Sequence, residues 1–488
     1  MVAWREYKNR LGILCRITMF AGFLGLGCVS GQVAPVSPDH PWHSSLERQI
    51  EGNARGFRES RFGIGPDRTY SLAELIDLAE AHNPETRVAW ERARAQAAAL
   101  GVARSELYPM LAAVALAQTS RIDVLFGPRY YRQTLQSFEG TLDLEYTVFD
   151  FGARSGRIRA AAAEALASNF GFNDAHRRII FQVEQAYYQV LNASGQEDAA
   201  RASLTNAQTV EQSAEARLKQ GLATLPDVLE ARSATALAQY ELQSVLGTET
   251  IARGELATAL GDLPNVTIRL QALDRLSIPE STEGTVDQAI DRAFGQRPDL
   301  MQQVAAIRAA QANAKEARAA FFPTLTLKAE PSARSLYGVQ QTYPWGHTAG
   351  LLGNLSLNLS WTVFDGGARK NNLARAKADV RAAEAEVSAE RDRIANEIWT
   401  AYSNVKTAMS QRRAAAAFLE AAGQSYAAAL ESYNYGVRNL LDVTATQKTL
   451  AQARSTDVLA RTQVLTSLAD LAFRTGDAIQ PGARSPGQ

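Results

Sequence analysis

Cysteine is almost missing from this 488-residue chain: Cys15 and Cys28 are the only two, and residues 29–488 contain none. That excludes a disulfide framework and a thiolate metal site. Histidine is scarce as well. His40, His43, His82, His176 and His347 are scattered, with no HExxH-type spacing. Net charge is absent too, because 51 Lys and Arg balance 51 Asp and Glu, and this argues against nucleic acid as a partner. No Ser-His-Asp set, carboxylate pair or glycine-rich phosphate loop stands out, so an enzyme, a cofactor and a resident metal are not expected. What is abundant is alanine in charge-laced text, a composition that favours long helices.

The N-terminus reads as an export signal. Arg5, Lys8, Arg10 and Arg16 form a basic region, and Ile17 to Gly27 is an apolar stretch too short to span a membrane. Gly27-Cys28 is a candidate lipoprotein cleavage point that would leave Cys28 as the acylated first residue. Lipoboxes place Leu three residues before the cysteine, where this chain has Gly25 between Leu24 and Leu26. The alternative is ordinary signal cleavage near Ser30 or Gly31. Residues 1–27 are thus read as signal, and 28–69, polar and proline-bearing, as an extended tether.

The rest of the chain says one thing twice. Tyr146-Thr-Val-Phe-Asp-Phe-Gly-Ala-Arg154 is echoed by Trp361-Thr-Val-Phe-Asp-Gly-Gly-Ala-Arg369. Ala186-Tyr187, Gly221, Asp227-Val228 and Gly261-Asp262 recur in register as Ala401-Tyr402, Gly436, Asp442-Val443 and Gly476-Asp477. Upstream the offset slips by one, pairing Pro84 with Pro298 and Pro109 with Pro323. A period this long is no solenoid unit or propeller blade, whose repeats run roughly 20–50 residues. It marks a duplicated half-domain: 70–283, then 284–477, followed by a disordered tail at 478–488.

Each half reads as helix, two strands, long helix, helix. Ser71 with Glu74 forms a capping box for a short helix. Pro84 opens a helix that Pro109 ends. Leu142, Leu144, Tyr146 and Val148 alternate with Asp143, Glu145 and Thr147; Leu355, Leu357, Leu359, Trp361 and Val363 do so with Ser356, Asn358, Ser360 and Thr362; Leu325, Leu327 and Ala329 with Thr326 and Lys328. In the strand after Pro109 the alternation is muddier, and the repeat places Leu111, Ala113 and Ala115 on the apolar face. Phe126 to Tyr131 and Tyr343 to His347 read as the loops between strands. From Arg154 to Gly221, and again from about Arg369 to Tyr435, the text is helical, which predicts rods on the order of 100 Å. Helices follow from Pro226 to about Leu260, and from a cap at Asn439 to about Arg474. The helix from Pro226 and the one from Pro298 together nearly equal one rod, so two short helices stacked end to end can flank each long one.

Strands of about 10–13 residues with one apolar face suit an outer-membrane barrel. Four cannot close one, but copies from two, three or four chains can. Asp143, Glu145, Lys328 and Asn358 would line a wet lumen, while Tyr146, Trp361, Tyr337 and Trp345 fit interfacial belts. From roughly Tyr70 to Asp477 the chain resembles the TolC-type outer-membrane efflux proteins, including a lipidated branch. The resemblance rests on the duplicated [YW]-T-V-F-D-x-G-A-R junction and the duplicated G-x-x-[TN]-x-x-D-V turn. It implies an α+β membrane protein: a homotrimer sharing a 12-stranded β-barrel in outer-membrane lipid, continuous with a 12-helix α-barrel across the periplasm. It also implies a periplasmic adaptor (membrane fusion) protein and an inner-membrane pump as partners.

Two groups of residues stand out. At the strand–helix junctions, Asp150 and Asp365 sit at N-cap positions that Gly152 and Gly367 make permissive, with Arg154 and Arg369 one turn in. A pore-lining acid is the functional alternative to capping. At the helical turns, Gly221, Thr224 and Asp227, and their partners Gly436, Asn439 and Asp442, read as cap chemistry. The resemblance makes this turn the adaptor-docking tip, with Arg217, Lys219 and Arg438 as candidates for gating bridges between protomers. Three functions compete: an exit duct for small molecules and drugs fed by a pump, an exit channel for protein or peptide secretion with an ATP-driven exporter, and a periplasmic coiled-coil structural or adaptor protein without a pore.

Overall fold

The computed structural model describes residues 68–266, 268–279, 284–340 and 343–477, within the compact unit formed from Phe62 onward. Cys28, the signal, most of the tether, the linker 280–283 and the tail 478–488 lie outside the described residues. The elements run β1 (Thr69–Tyr70), α1 (Leu72–His82), α2 (Pro84–Ser105), β2 (Met110–Phe126), β3 (Arg129–Phe149), α3 (Ala153–Lys219) and α4 (Leu225–Ala259) in the first half. β4 (Arg269–Leu270) closes the first half, and the second half has α5 (Val286–Gln296), α6 (Pro298–Ala319), β5 (Thr324–Ala329), β6 (Ser332–Gln340), β7 (Tyr343–Leu352), β8 (Leu355–Ser360), α7 (Ala368–Asn434) and α8 (Leu440–Thr475).

The sheet is two hairpins side by side. β5 and β6 both pair with β3 in one register, with Leu144 opposite Ala329 and Thr141 opposite Ser332, and β8 and β7 flank them in the same way. In effect four antiparallel strands run β2, β3, β5/β6, β7/β8, and among the described residues both edges are open. Directly opposed residues share a face. Leu111 and Ala113 oppose Leu144 and Leu142, and Tyr146 opposes Leu327, which opposes Leu357. On the other face Glu145 opposes Lys328 and bonds it at 3.3 Å, and Thr147, Thr326 and Asn358 stand in one row.

Five strand expectations need correction, the first being the loop at 126–131, of which only Gly127 and Pro128 lie outside β2 and β3. β2 and β3 have 17 and 21 residues, well beyond the expected length. In the half away from the helices Arg121, Asp123, Arg129 and Arg132 stand among Ile122, Val124, Leu125, Tyr130 and Tyr131. A bulge between Thr147 and Phe149 passes the apolar face to Phe149, opposite Leu325, so Val148 does not continue it. β8 stops at Ser360, opposite Thr324, so Trp361 and Val363 lie beyond the strand: Pro323 ends the pairing on one side and the other side is an open edge. Tyr343–His347 belongs to β7 rather than to a loop, with Gln340 opposite Tyr343.

The two long helices have 67 residues each, about 100 Å at 1.5 Å per residue. Near the sheet the helical layer runs α2, α3, α6, α7; farther away it runs α4, α3, α8, α7. Short helices do stack end to end, but in a different pairing. α4 abuts α2, where Asn83 Nδ2 donates to the Ala259 carbonyl at 2.9 Å, and α8 abuts α6, where Arg297 donates to the Arg474 carbonyl at 3.3 Å. The helix beginning near Pro226 therefore meets the one from Pro84, not the one from Pro298. Alanine-rich text permits close helix approach: Ala160, Ala163 and Ala165 are buried, and a Cβ on Gly156 would come within 2.9 Å of the Glu316 Cβ. α1 and α5 form an added layer, α1 packing on Ile179, Val183 and Tyr187 of α3, and α5 on Leu300 of α6 and Ile394 and Ile398 of α7.

Candidate functional site

Three places along the rods carry the named chemistry. At the first strand–helix junction the formal N-cap of α3 is Gly152 (φ 95°), and Asp150 caps from two residues earlier. Its carboxylate accepts from the Gly152 N–H at 3.2 Å, the Arg154 N–H at 2.7 Å and the Arg154 Nε at 3.2 Å. Arg154 also donates to the carbonyls of Glu106 and Val148, which ties α2, β3 and α3 together. The second junction repeats this: Asp365 accepts from the N–H groups of Gly367 (3.1 Å) and Arg369 (3.0 Å) and from Arg369 Nε (2.7 Å). The Arg369 side chain and backbone hold the Asp365 carboxyl below its usual range. Both aspartates are thus engaged in capping. Between Asp150 and Gly152, Phe151 occupies the left-handed region (φ 51°), where the repeat has Gly366 (φ 64°). Its ring stacks on Phe322 at 4.9 Å and meets Phe149 edge-on at 4.6 Å.

At the far tip, both turns are closed in the same way. Gly221 (φ 72°) lets the Leu222 N–H reach the Arg217 carbonyl at 2.9 Å, and Gly436 (φ 74°) lets the Val437 N–H reach the Ser432 carbonyl at 2.9 Å. Thr224 bonds Asp227 through its N–H (2.8 Å) and its hydroxyl (2.7 Å), and these bonds lower the Asp227 carboxyl. Asn439 accepts from the Asp442 N–H at 3.0 Å. Arg217 joins the two turns: it donates to the Tyr433 and Asn434 carbonyls at 2.7 and 3.2 Å and lies 4.6 Å over the Tyr433 ring. It is therefore engaged within its own chain, while Lys219 and Arg438 are exposed. Around this braced tip Leu222, Leu225, Tyr435, Val437 and Leu441 stand more than half exposed. The tip thus presents apolar side chains to solvent around two hydrogen-bonded turns.

The third place escaped the sequence reading. Where α8 meets α6, Arg177 is buried between Asp174 (2.6 Å) and Asp299 (3.2 Å) and donates to the Phe473 carbonyl at 2.8 Å. Arg297, also buried, binds Asp299 (2.5 Å) and Glu397 (2.9 Å). Burial alone would raise the Asp299 carboxyl, but Arg297 and Arg177 pull it down to about 2. In the first half the matching positions are Asn83, Glu85 and Gln182, and of these Asn83 makes the bond across the junction, to the Ala259 carbonyl. Among the described residues no His/Cys/Asp/Glu group could hold a metal, and no helix is long and apolar enough to cross a membrane.

The chain is 29% identical to Protein CyaE of Bordetella pertussis over 64% of each chain. It is 29% identical to the pyoverdine export outer membrane protein OpmQ of Pseudomonas aeruginosa, over 54% of this chain and 56% of that protein. The matched segments thus span less than two thirds of either relative. The probable outer membrane lipoprotein SilC of Salmonella typhimurium is 25% identical over 73% of this chain and 75% of its own. Among solved structures, the outer-membrane channel OprN superposes with a TM-score of 0.73 at 21% identity, covering 85% of this chain and 94% of OprN. VceC of Vibrio cholerae gives 0.69 at 20%, covering 83% and 96%. These likenesses show the fold alone. The outer membrane efflux protein profile matches twice, at residues 75–262 and 289–477, one match in each half; the chain belongs to the outer membrane efflux protein family.

Proposed function

We propose that three copies of this chain form an outer-membrane exit duct that passively conducts small molecules delivered by an inner-membrane pump through a periplasmic adaptor. The observation that carries this reading is the passage from a four-stranded sheet, apolar on one face and open at both edges, straight into two 67-residue helices. An apolar sheet with free edges is stable in a bilayer only when it closes, and three sets of four strands give a 12-stranded barrel. The rods would carry the bore through the periplasm, and the braced apolar tips would meet the adaptor. Cys28, if acylated, would add an anchor in the same membrane.

A second reading, secretion of a protein or peptide with an ATP-driven exporter, is favoured by one likeness: 26% identity to the alkaline protease secretion protein AprF of Pseudomonas aeruginosa over 47% of each chain. Disruption of the gene, with and without complementation, separates the two. Small-molecule efflux predicts that disruption causes sensitivity to dyes, detergents or antibiotics and that the intact gene restores resistance. Loss of a protein from the medium with unchanged sensitivity would establish the second reading, and no change in either would sink both.

A further inference from the structure

Just below the sheet, three cations share a groove. Arg159 of α3 and Arg308 and Lys315 of α6 line a cleft of about 370 Å³ together with Ala162, Ala163 and Ala312. All three side chains are exposed, and among the described residues none has a carboxylate within ion-pair distance. Neighbouring arginines are placed otherwise: Arg154 is bound to Asp150, and Arg157 to Glu106 and Glu316. The charge is also sorted by face. The opposite side of the same helix pair, at Ala306, Ala309 and Ala310, borders Glu164 and Asp379 instead.

The cationic side can be oriented. Leu300, Val304 and Ile307 of α6 share one apolar cluster with the added helix α5 and with α7, and Arg308, Gln311 and Lys315 continue that stripe toward the sheet. In a closed ring an added layer lies outside, because inside it would fill the bore. On α3, Arg159 borders a further cavity with Arg154, Ser155 and Ile158, and the Arg154 guanidinium stands 5.7 Å from the Tyr146 ring, on the apolar strand face. The outer surface thus passes from aliphatic strand residues, through the Phe149, Phe151 and Phe322 rings, to the cations. Arg159 lies six residues into α3, about 9 Å along the axis. α3 and α6 are the inner helices of the α2, α3, α6, α7 layer, so the groove is remote from the edges where copies would join.

From this juxtaposition we propose that Arg159, Arg308 and Lys315 form a binding site for the phosphodiester headgroup of an anionic phospholipid in the periplasm-facing leaflet of the outer membrane. Guanidinium groups match phosphate oxygens in charge and in bidentate geometry, and aromatic rings at the interface leave the acyl chains against the strands. The proposal rests on the outer-membrane reading above. Its test is the thermal unfolding midpoint of the full chain in detergent, with added phosphatidylglycerol, phosphatidylcholine of the same acyl chains, or inorganic phosphate. Phosphatidylglycerol is expected to raise the midpoint by about 3 °C more than phosphatidylcholine, and inorganic phosphate to leave it unmoved. The excess should vanish in Arg159→Gln/Arg308→Gln/Lys315→Gln and persist in Arg159→Lys/Arg308→Lys/Lys315→Arg, which guards against a fold defect. Equal shifts with both lipids, or an excess surviving in the glutamine variant, would overturn the site, and so would an effect reproduced by phosphate. Fractionation of the unaltered protein away from the outer membrane would instead remove the reading beneath it.

Discussion

At the residue scale, Asp299 carries more of the structure than its exposed-helix sequence context implies. It is the second residue of α6 and lies between Arg177 and Arg297, whose guanidinium groups in turn cap the last carbonyls of α8. Its carboxyl sits at about 2 in the folded chain, against about 3.9 when unfolded. The depressed value means that the folded state favours the charged form. The stabilisation, about 2–3 kcal/mol, is therefore full above about pH 5 and lost as pH falls through 4 toward 2; Glu397, lowered by Arg297 once its own burial is overcome, acts in the same direction. Urea unfolding followed by helical circular dichroism should show stability falling through this window. Asp299→Asn should flatten that slope while lowering stability near neutrality by about 3 kcal/mol, since it leaves two buried cations short of a partner. An unchanged slope in the variant would show that Asp299 does not titrate as its surroundings require. This cluster was not legible in the sequence, because Asp174, Asp299 and Glu397 lie more than 90 residues apart and meet only after the helices stack. The Asp150–Arg154 bridge was partly readable, since both members fall within one turn; that Asp150 caps across a left-handed Phe151 was not.

At the scale of elements, boundaries set by local chemistry were readable and those set by neighbours were not. Prolines, glycines and capping residues place the ends of α2, α3, α4, α7 and α8 within a residue or two of expectation. β8 ends early because pairing, not alternation, sustains a strand, and Trp361 instead donates its indole N–H to the Phe321 carbonyl at 3.1 Å. α5 escaped notice although its capping box, Thr285 with Gln288, mirrors Ser71 with Glu74 one repeat earlier. The tip turns offer a clean test of local chemistry. A Cβ on Gly221 meets nothing within 4 Å, so only its positive φ resists substitution. Gly221→Ala should cost about 1 kcal/mol, and Gly221→Asn less, because asparagine tolerates this region. Hydrogen exchange at the Leu222 amide, which bonds the Arg217 carbonyl, should read this as roughly fivefold lost protection in the alanine variant. Equal effects of alanine and asparagine would mean that the turn is held by something other than backbone conformation.

At the scale of the whole molecule, the unresolved demand is the pair of open edges. β2 presents 17 residues with no partner on its outer side among the described residues, and β7/β8 presents the opposite edge. Within one chain these edges are separated by three strand spacings, about 14 Å, too far for a disulfide, whose Cα atoms lie within about 7 Å. In a closed ring of three chains, β2 of one copy lies directly beside β7/β8 of the next. The chain provides a quiet background for cysteine chemistry, since Cys15 and Cys28 are its only thiols. Ala113→Cys, on the apolar face of β2, can therefore be combined in turn with Leu355→Cys, Leu357→Cys and Leu359→Cys along β8, which samples the register between chains. Oxidation in isolated outer membranes should give, for at least one pair, a covalent ladder that stops at three chains, and neither single-cysteine parent should climb beyond a dimer. A ladder continuing past three would mean an open or larger array. Monomers alone at every register would leave the edges unpaired, and the apolar face of the sheet would then need some cover other than a shared barrel.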